Sequence, residues 1–314
     1  MGEKKFRNLD EQLEILKSKG LNISDDIYAK EILLRENYFF LNGYRHLFID
    51  DDKRYLKNVT FEEQYSLFLF DRQFRNIIFK NLLIIENNIK SIISYQLSRK
   101  YGYKEKDYLK AANFDRSPYK QRQINDLLKK MKRQVRINGN QHAATSHYIN
   151  NYGYIPLWVL VKVLSFGIVG EMFSILKLED RMAISKIYNM DANVLANYLP
   201  ILANYRNLCA HEDILFENKT QRVIDDTIYH QALGIEKEDG EYIYGKNDLF
   251  ALIIIIKQFL SSQETKNLVI EIRQALSNLD YNLNSISLEK VLRRMGFPDN
   301  WEGLANIERR REDE

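Results

Sequence analysis

The stretch FEEQYSLFLFDRQFRNIIFKNLLIIENNIKSIISYQLSRKY, Phe61 to Tyr101, runs for 41 residues without Gly or Pro. Thr60 and Glu63 form a T-x-x-E capping box at its start, and Gly102 stands where a C-cap belongs. Leu67, Phe70, Phe74, Ile77, Ile78, Leu82, Ile85, Ile89 and Ile92 recur at steps of three or four, the period of one helix face. The pattern predicts a helix about 60 Å long at ~1.5 Å per residue. That length suits a bundle spine or a dimer element; a bend near Asn87-Asn88 is the milder alternative.

Composition carries the helical reading outward. Gly (13) and Pro (4) are used at about half the usual rate. A sandwich or barrel, which needs a turn signal every ~8–12 residues, is excluded. The fold class is all-α, and 45% apolar residues rule out global disorder. Further helices are predicted at 8–19, 24–37 and 116–136, then from Pro156 through LWVLVKVLSFGIVGEMFSILK. Others follow at 179–189, 191–213 (interrupted near Pro200), 247–279 and 287–295. EDGEYIYG at 238–245 reads as a hairpin or loop, and a polar loop holds Gly139, His142 and His147. The tail ERRREDE reads as charged and frayed.

A net charge of +3 decides nothing about nucleic acid. The basic residues cluster, however: RSPYKQRQINDLLKKMKRQVR (116–136) holds eight of them and one acid, Asp126. Ile124, Leu127, Leu128, Met131 and Val135 make its apolar stripe, leaving Arg122, Lys129, Lys132, Arg133 and Arg136 off it as candidate phosphate-backbone contacts. Tyr101, Tyr103, Tyr108 and Tyr119 flank this helix and are candidates for stacking on unpaired bases. A solvated helix face and rim packing are the plainer readings.

Lone Cys209 excludes an intrachain disulfide framework. The start, MGEKKFRNLDEQ, has no apolar core and does not read as a secretory signal. The longest apolar run, Leu249 to Ile256, is well short of the ~18 residues needed to span a bilayer, so the chain reads as cytoplasmic with no membrane partner. No P-loop, dinucleotide fingerprint, nucleophile elbow or zincin motif occurs. His142 and His147 read as solvated loop residues, and no metal site is expected.

The informative segment is LANYRNLCAHEDILFEN, 202–218. Asn207 and His211 share a helix face at i, i+4, whereas Arg206 lies roughly 140° from His211 on a straight helix. Histidine moves protons near neutral pH, and arginine grips phosphate oxygens with a fork of donors. The pair suits in-line attack of an RNA 2′-OH on the adjacent phosphate. Spacing alone favours Arg206 paired with Glu212 or Asp213 and His211 capping the helix.

Arg-Asn-Leu-Cys-Ala-His (206–211) resembles the R-x4-6-H motif of HEPN ribonucleases. LNGYRHLF (41–48), FDRQFRNIIFKNLLIIENNIKSIISYQLSRKYG (70–102), PLWVLVKVLSFGIVGEMFSILK (156–177) and MGFPDNW (295–301) resemble, in order, the Abi-like abortive-infection family, AbiD/AbiF type. The resemblance runs over about 35–300. It implies an all-helical HEPN-like bundle, a homodimer, and a metal- and cofactor-independent endoribonuclease giving 2′,3′-cyclic phosphate ends. His211 would be general acid/base, Arg206 would stabilise the developing phosphorane charge, and Asn207 would orient the pair. Glu86, with Lys90 at i+4, is the candidate partner that positions Arg206. RNA is the implied substrate, with a structured noncoding RNA as a further partner and a non-catalytic RNA-binding protein as the alternative. Family members often follow the motif with a second His and an Arg; Glu212 and Ile214 stand there instead. The chain then divides into N-terminal helices at 1–60, a HEPN-like core at 61–102 and 156–280, a basic insertion at 103–155, and a C-terminal helix and tail at 281–314.

Overall fold

The computed structural model describes residues 5–138 and 141–308. Gly139 of the polar loop, the charged tail from 309 onward and residues 1–4 lie outside that range. In chain order the helices are α1 (Leu9–Ser18), α2 (Asp26–Glu36), α3 (Tyr38–Asn42), α4 (Phe61–Tyr101), α5 (Glu105–Tyr108), α6 (Gln121–Asn138), α7 (Ala143–Tyr152) and α8 (Leu157–Val163). They continue with α9 (Phe166–Ile175), α10 (Leu178–Ser185), α11 (Ala192–Ala210), α12 (Ile228–Ala232), α13 (Leu249–Lys257), α14 (Ser262–Asn282) and α15 (Leu288–Met295). The fold is all-α; among the described residues the one sheet is a hairpin of β1 (Lys237–Glu238) and β2 (Glu241–Tyr242), turned by Asp239 and Gly240 at positive φ.

The spine is α4, helical without interruption through Asn87-Asn88. Its apolar face, including Leu67, Phe74, Ile78, Leu82, Ile85 and Ile89, is buried against α14, α8 and α11. Only half of the expected capping box forms. The Thr60 hydroxyl accepts the Glu63 amide at 3.1 Å. Glu63 instead accepts the amides of Asn284 and Ser285 at 2.8 and 2.7 Å, pinning the segment after α14 to the start of α4. The hydrophobic core is continuous from Leu13 in α1 to Leu304 near the C-terminus.

Four elements differ from the periodicity reading, each for a local reason. The run from Pro156 is two helices, because Ser165 breaks it and accepts the Ile168 amide as the N-cap of α9. Residues 247–279 are likewise two, since Ser261 and Glu264 form a complete capping box that starts α14. The polar stretch with His142 and His147 is helix α7, closed by Gly153 in the left-handed region; its polar composition hides it. Pro200 does not interrupt α11, whose Leu195, Tyr198, Leu199, Leu202 and Tyr205 are all buried. That burial outweighs the one backbone hydrogen bond a proline removes. The basic helix α6 buries Ile124, Leu127, Leu128 and Met131 against α8 and α9.

Candidate functional site

Helix α11 ends at Ala210, and His211 is its C-cap, donating its amide to the Asn207 carbonyl at 3.0 Å. Glu212 follows with φ +56, and the Asp213 amide reaches back to the Leu208 carbonyl at 3.2 Å, the long bond of a Schellman motif. Glycine is the usual residue at that left-handed position; a side chain there costs about 1 kcal/mol. Here the Glu212 carboxylate meets Arg72 at 3.4 Å, which also clasps Glu36 with both Nη atoms at 3.1 and 2.7 Å. The side chains of Asn207 and His211 are exposed and, among the described residues, carry no hydrogen bond or ion pair.

Arg206 turns the other way. Its Nε donates to Glu86 Oε2 of α4 at 3.0 Å, and its guanidinium lies 5.7 Å from the Phe79 ring centroid. Glu86 is 5% exposed and accepts Lys90 Nζ at 2.7 Å on its other oxygen. The local pairing of Arg206 with Glu212 or Asp213 therefore does not form. Glu86 occupies the Nε edge of the guanidinium, and among the described residues neither Nη atom is hydrogen-bonded. A third of the arginine side chain faces solvent. Within one chain no hydrogen bond or ion pair joins Arg206 to His211.

The chain beyond His211 is tied down by a network the sequence reading missed. Asp71, fully buried on α4, accepts the Tyr44 hydroxyl at 2.7 Å and the amides of Leu215 and Phe216 at 3.0 and 2.7 Å, and pairs with Arg75. Arg75 also reaches the Tyr44 hydroxyl at 3.0 Å and the Asp213 carbonyl at 3.3 Å. Desolvation pushes the Asp71 carboxyl up, while Arg75, Tyr44 and the two amides pull it back. Tyr44 lies in LNGYRHLF, so three of the sequence blocks converge on one carboxylate. A signal existed: Asp71 and Arg75 are an acid and a base at i, i+4 on the apolar face of α4.

Cys209 is buried, and burial pushes its thiol up to about 12, which suits packing and not nucleophilic attack. Arg122, Lys129, Lys132, Arg133 and Arg136 are all exposed on α6. Arg122 and Lys129 only brush Asp126, at 4.0 and 3.9 Å. Of the flanking tyrosines, Tyr108 is buried with its hydroxyl on the Ile155 carbonyl, and Tyr101 is tied to Asp180 at 2.6 Å; Tyr103 and Tyr119 are exposed. His142 and His147 are exposed on or beside α7. Among the described residues no group of three His, Cys, Asp or Glu is gathered to hold a metal ion, and no helix is long and apolar enough to cross a membrane.

A family model described as Abi-like protein matches residues 31–217, more than half of the chain. The match takes in LNGYRHLF, α4, α8, α9 and the Arg206–His211 motif, whereas MGFPDNW at 295–301 lies beyond it. No curated protein and no solved structure matches the chain. The matched span contains every residue of the two networks that converge on α4, Tyr44, Asp71 and Arg75 in one, Glu86, Lys90 and Arg206 in the other, and the chain belongs to the Abi-like protein family.

Proposed function

We propose that this protein is a metal-independent endoribonuclease of the HEPN superfamily, AbiD/AbiF type, acting in the cytoplasm as a toxin-like effector of abortive infection. Family membership supports the abortive-infection setting. The observation that carries the chemistry is the state of Arg206. Glu86 fixes its Nε edge and leaves two Nη donors for phosphate oxygens, while His211 and Asn207 stand exposed at the end of the same helix.

In the proposed reaction one His211 takes the proton of an RNA 2′-OH as that oxygen attacks the adjacent phosphorus. The bond from phosphorus to the 5′-oxygen breaks, and a second His211 protonates the departing oxygen. The products are a 2′,3′-cyclic phosphate and a 5′-hydroxyl. Arg206 neutralises charge on the phosphorane oxygens, and Asn207 orients the pair. Two histidines require two copies, and within one chain no hydrogen bond or ion pair joins Arg206 to His211, so a homodimer supplies the complete set. A structured noncoding RNA held by the protein restrains the activity.

The test is incubation of purified protein with RNA of several classes in EDTA. Cleavage with 2′,3′-cyclic phosphate ends is expected, falling about 10²- to 10⁴-fold in His211→Ala. Intact RNA with well-folded wild type overturns the reading. RNA that co-purifies tightly, is never cut, and binds His211→Ala equally well selects the alternative of a non-catalytic RNA-binding protein.

A further inference from the structure

Away from α11, six rings form a continuous surface ladder around α7 and α8. Tyr148 lies 5.4 Å from Tyr152, Tyr152 6.4 Å from Tyr154, Tyr154 5.8 Å from Tyr103, and Tyr103 5.5 Å from Trp158; His147 joins at Tyr152, 6.1 Å away. Tyr148 and Tyr154 are half-buried, Tyr148 against the core, and the other rings open to solvent. Tyr103, Tyr152 and Trp158 are 40%, 57% and 44% exposed. Burial of an aromatic surface of this size is favourable, so its exposure needs a reason.

One cation sits on the ladder and others lie on the helices that carry or adjoin it. Lys104 Nζ lies 4.7 Å from the Tyr154 ring centroid and 5.9 Å from that of Tyr103. Helix α7 packs on α6, whose outer face carries the exposed Arg122, Lys129, Lys132, Arg133 and Arg136. At the far end, Trp158 and Lys162 are one turn apart on α8, and Lys162 Nζ bonds Asn87 Oδ1 at 3.0 Å. Asn87 directly follows Glu86, the partner of Arg206. The ladder thus runs from the helix that packs on α6 to α8, which meets α4 at Asn87, one residue along from the partner of Arg206.

We propose that this ladder is the binding track for a single nucleic-acid strand with unpaired bases, which stack on the rings while Lys104, Lys162 and the α6 cations hold its phosphates. Ring faces accept every base, so the track is tolerant of sequence, and paired bases, stacked within a duplex, have no free face to offer. The proposal rests on the ribonuclease reading for its choice of RNA: the track delivers an unstructured segment to Arg206.

The experiment uses the full chain and a fluorescein-labelled single-stranded 2′-O-methyl oligonucleotide, which has no free 2′-OH and cannot be cut, beside a duplex of equal length. Loss of a stacking ring weakens binding at least about fivefold. Tyr152→Ala with Trp158→Ala should therefore weaken single-strand binding about 25-fold or more and leave duplex binding within about twofold. The same positions changed to Phe should restore single-strand binding and show that the rings, not the fold, were lost. Unchanged single-strand affinity in the alanine variant overturns the proposal, as does an equal loss for both oligonucleotides. A fall from dimer to monomer in sedimentation with affinity retained also overturns it and makes the ladder an interface between copies. The oligonucleotide resists cleavage, so failure of the nuclease reading shows separately, as uncut natural RNA.

Discussion

Helix α4 carries two acid–base pairs at the same i, i+4 spacing, Asp71–Arg75 and Glu86–Lys90, and each is met by the region around the end of α11. They serve opposite ends. Asp71 gathers donors from Tyr44, Arg75, Leu215 and Phe216, all buried or backbone, so the carboxylate is closed off from solvent. Glu86 binds only two cations, and one of them, Arg206, presents its remaining donors to solvent. One pair locks the chain after the motif; the other aims a side chain within it. Equal spacing on a helix says nothing about which is which. The number of internal donors does.

The largest effect is expected from Asp71→Ala, which leaves Arg75 buried without its counterion and frees the 215–216 amides. A loss of about 3–5 kcal/mol in urea unfolding is expected, and a loss under about 1 kcal/mol would mean that Asp71 does not lock this segment.

Asp248 is a third buried carboxylate, and its hydrogen-bond partners are the amides of Gly245 and Ala251. Burial pushes it up to about 6, above the ~3.9 of an unfolded chain. The native state therefore holds an extra proton between about pH 4 and 6, and stability from this group falls as pH rises through that window. Asp248→Asn removes the ionisation. The variant should gain on wild type from nearly nothing at pH 4 to about 3 kcal/mol at pH 7, read from unfolding curves across pH.

Glu86→Gln tests the aiming role. Cleavage should fall about 10- to 100-fold from misplacement of Arg206, with about 1–2 kcal/mol of stability lost through Lys90. Activity unchanged in a normally folded variant would reduce Glu86 to a structural partner. The smallest effect is expected from Glu212→Gly, where relief of the left-handed backbone gains up to about 1 kcal/mol in thermal unfolding, less the value of the exposed contact with Arg72.

Much of the architecture was legible because periodicity is a local signal. α4 and α15 follow from apolar spacing and a closing Gly, and α6 from apolar spacing, although it begins at Gln121 and not at 116, after a 3-10 turn at Pro118–Lys120. The breaks at Ser165 and Ser261 were missed because hydrophobic runs continue across them, and a single hydroxyl outweighs periodicity when it caps a new first turn. α7 was missed for the opposite reason: AATSHYINNY has too few apolar residues to show a stripe. At the site, Arg206, Asn207, His211 and Glu86 were named from motif resemblance, while the contact between Arg206 and Glu86 spans 120 positions and no spacing rule reaches it. Asp71 and Arg75 show in the sequence only as an i, i+4 acid and base on an apolar face; their tie to Tyr44 and to the backbone amides of Leu215 and Phe216 spans the chain, and sequence does not place it.

The same separation bears on synthesis. At about 5–20 residues per second, a ribosome needs roughly 6–24 s to travel from Glu86 to Arg206. Throughout that interval the nascent chain owns the aiming carboxylate and nothing for it to aim. Asp71 waits longer still, 145 positions, for Phe216. Both halves of the site are completed within ten residues of one another, late in translation. A chain abandoned before Arg206 thus has neither network, and one abandoned before Phe216 lacks the backbone amides that Asp71 holds.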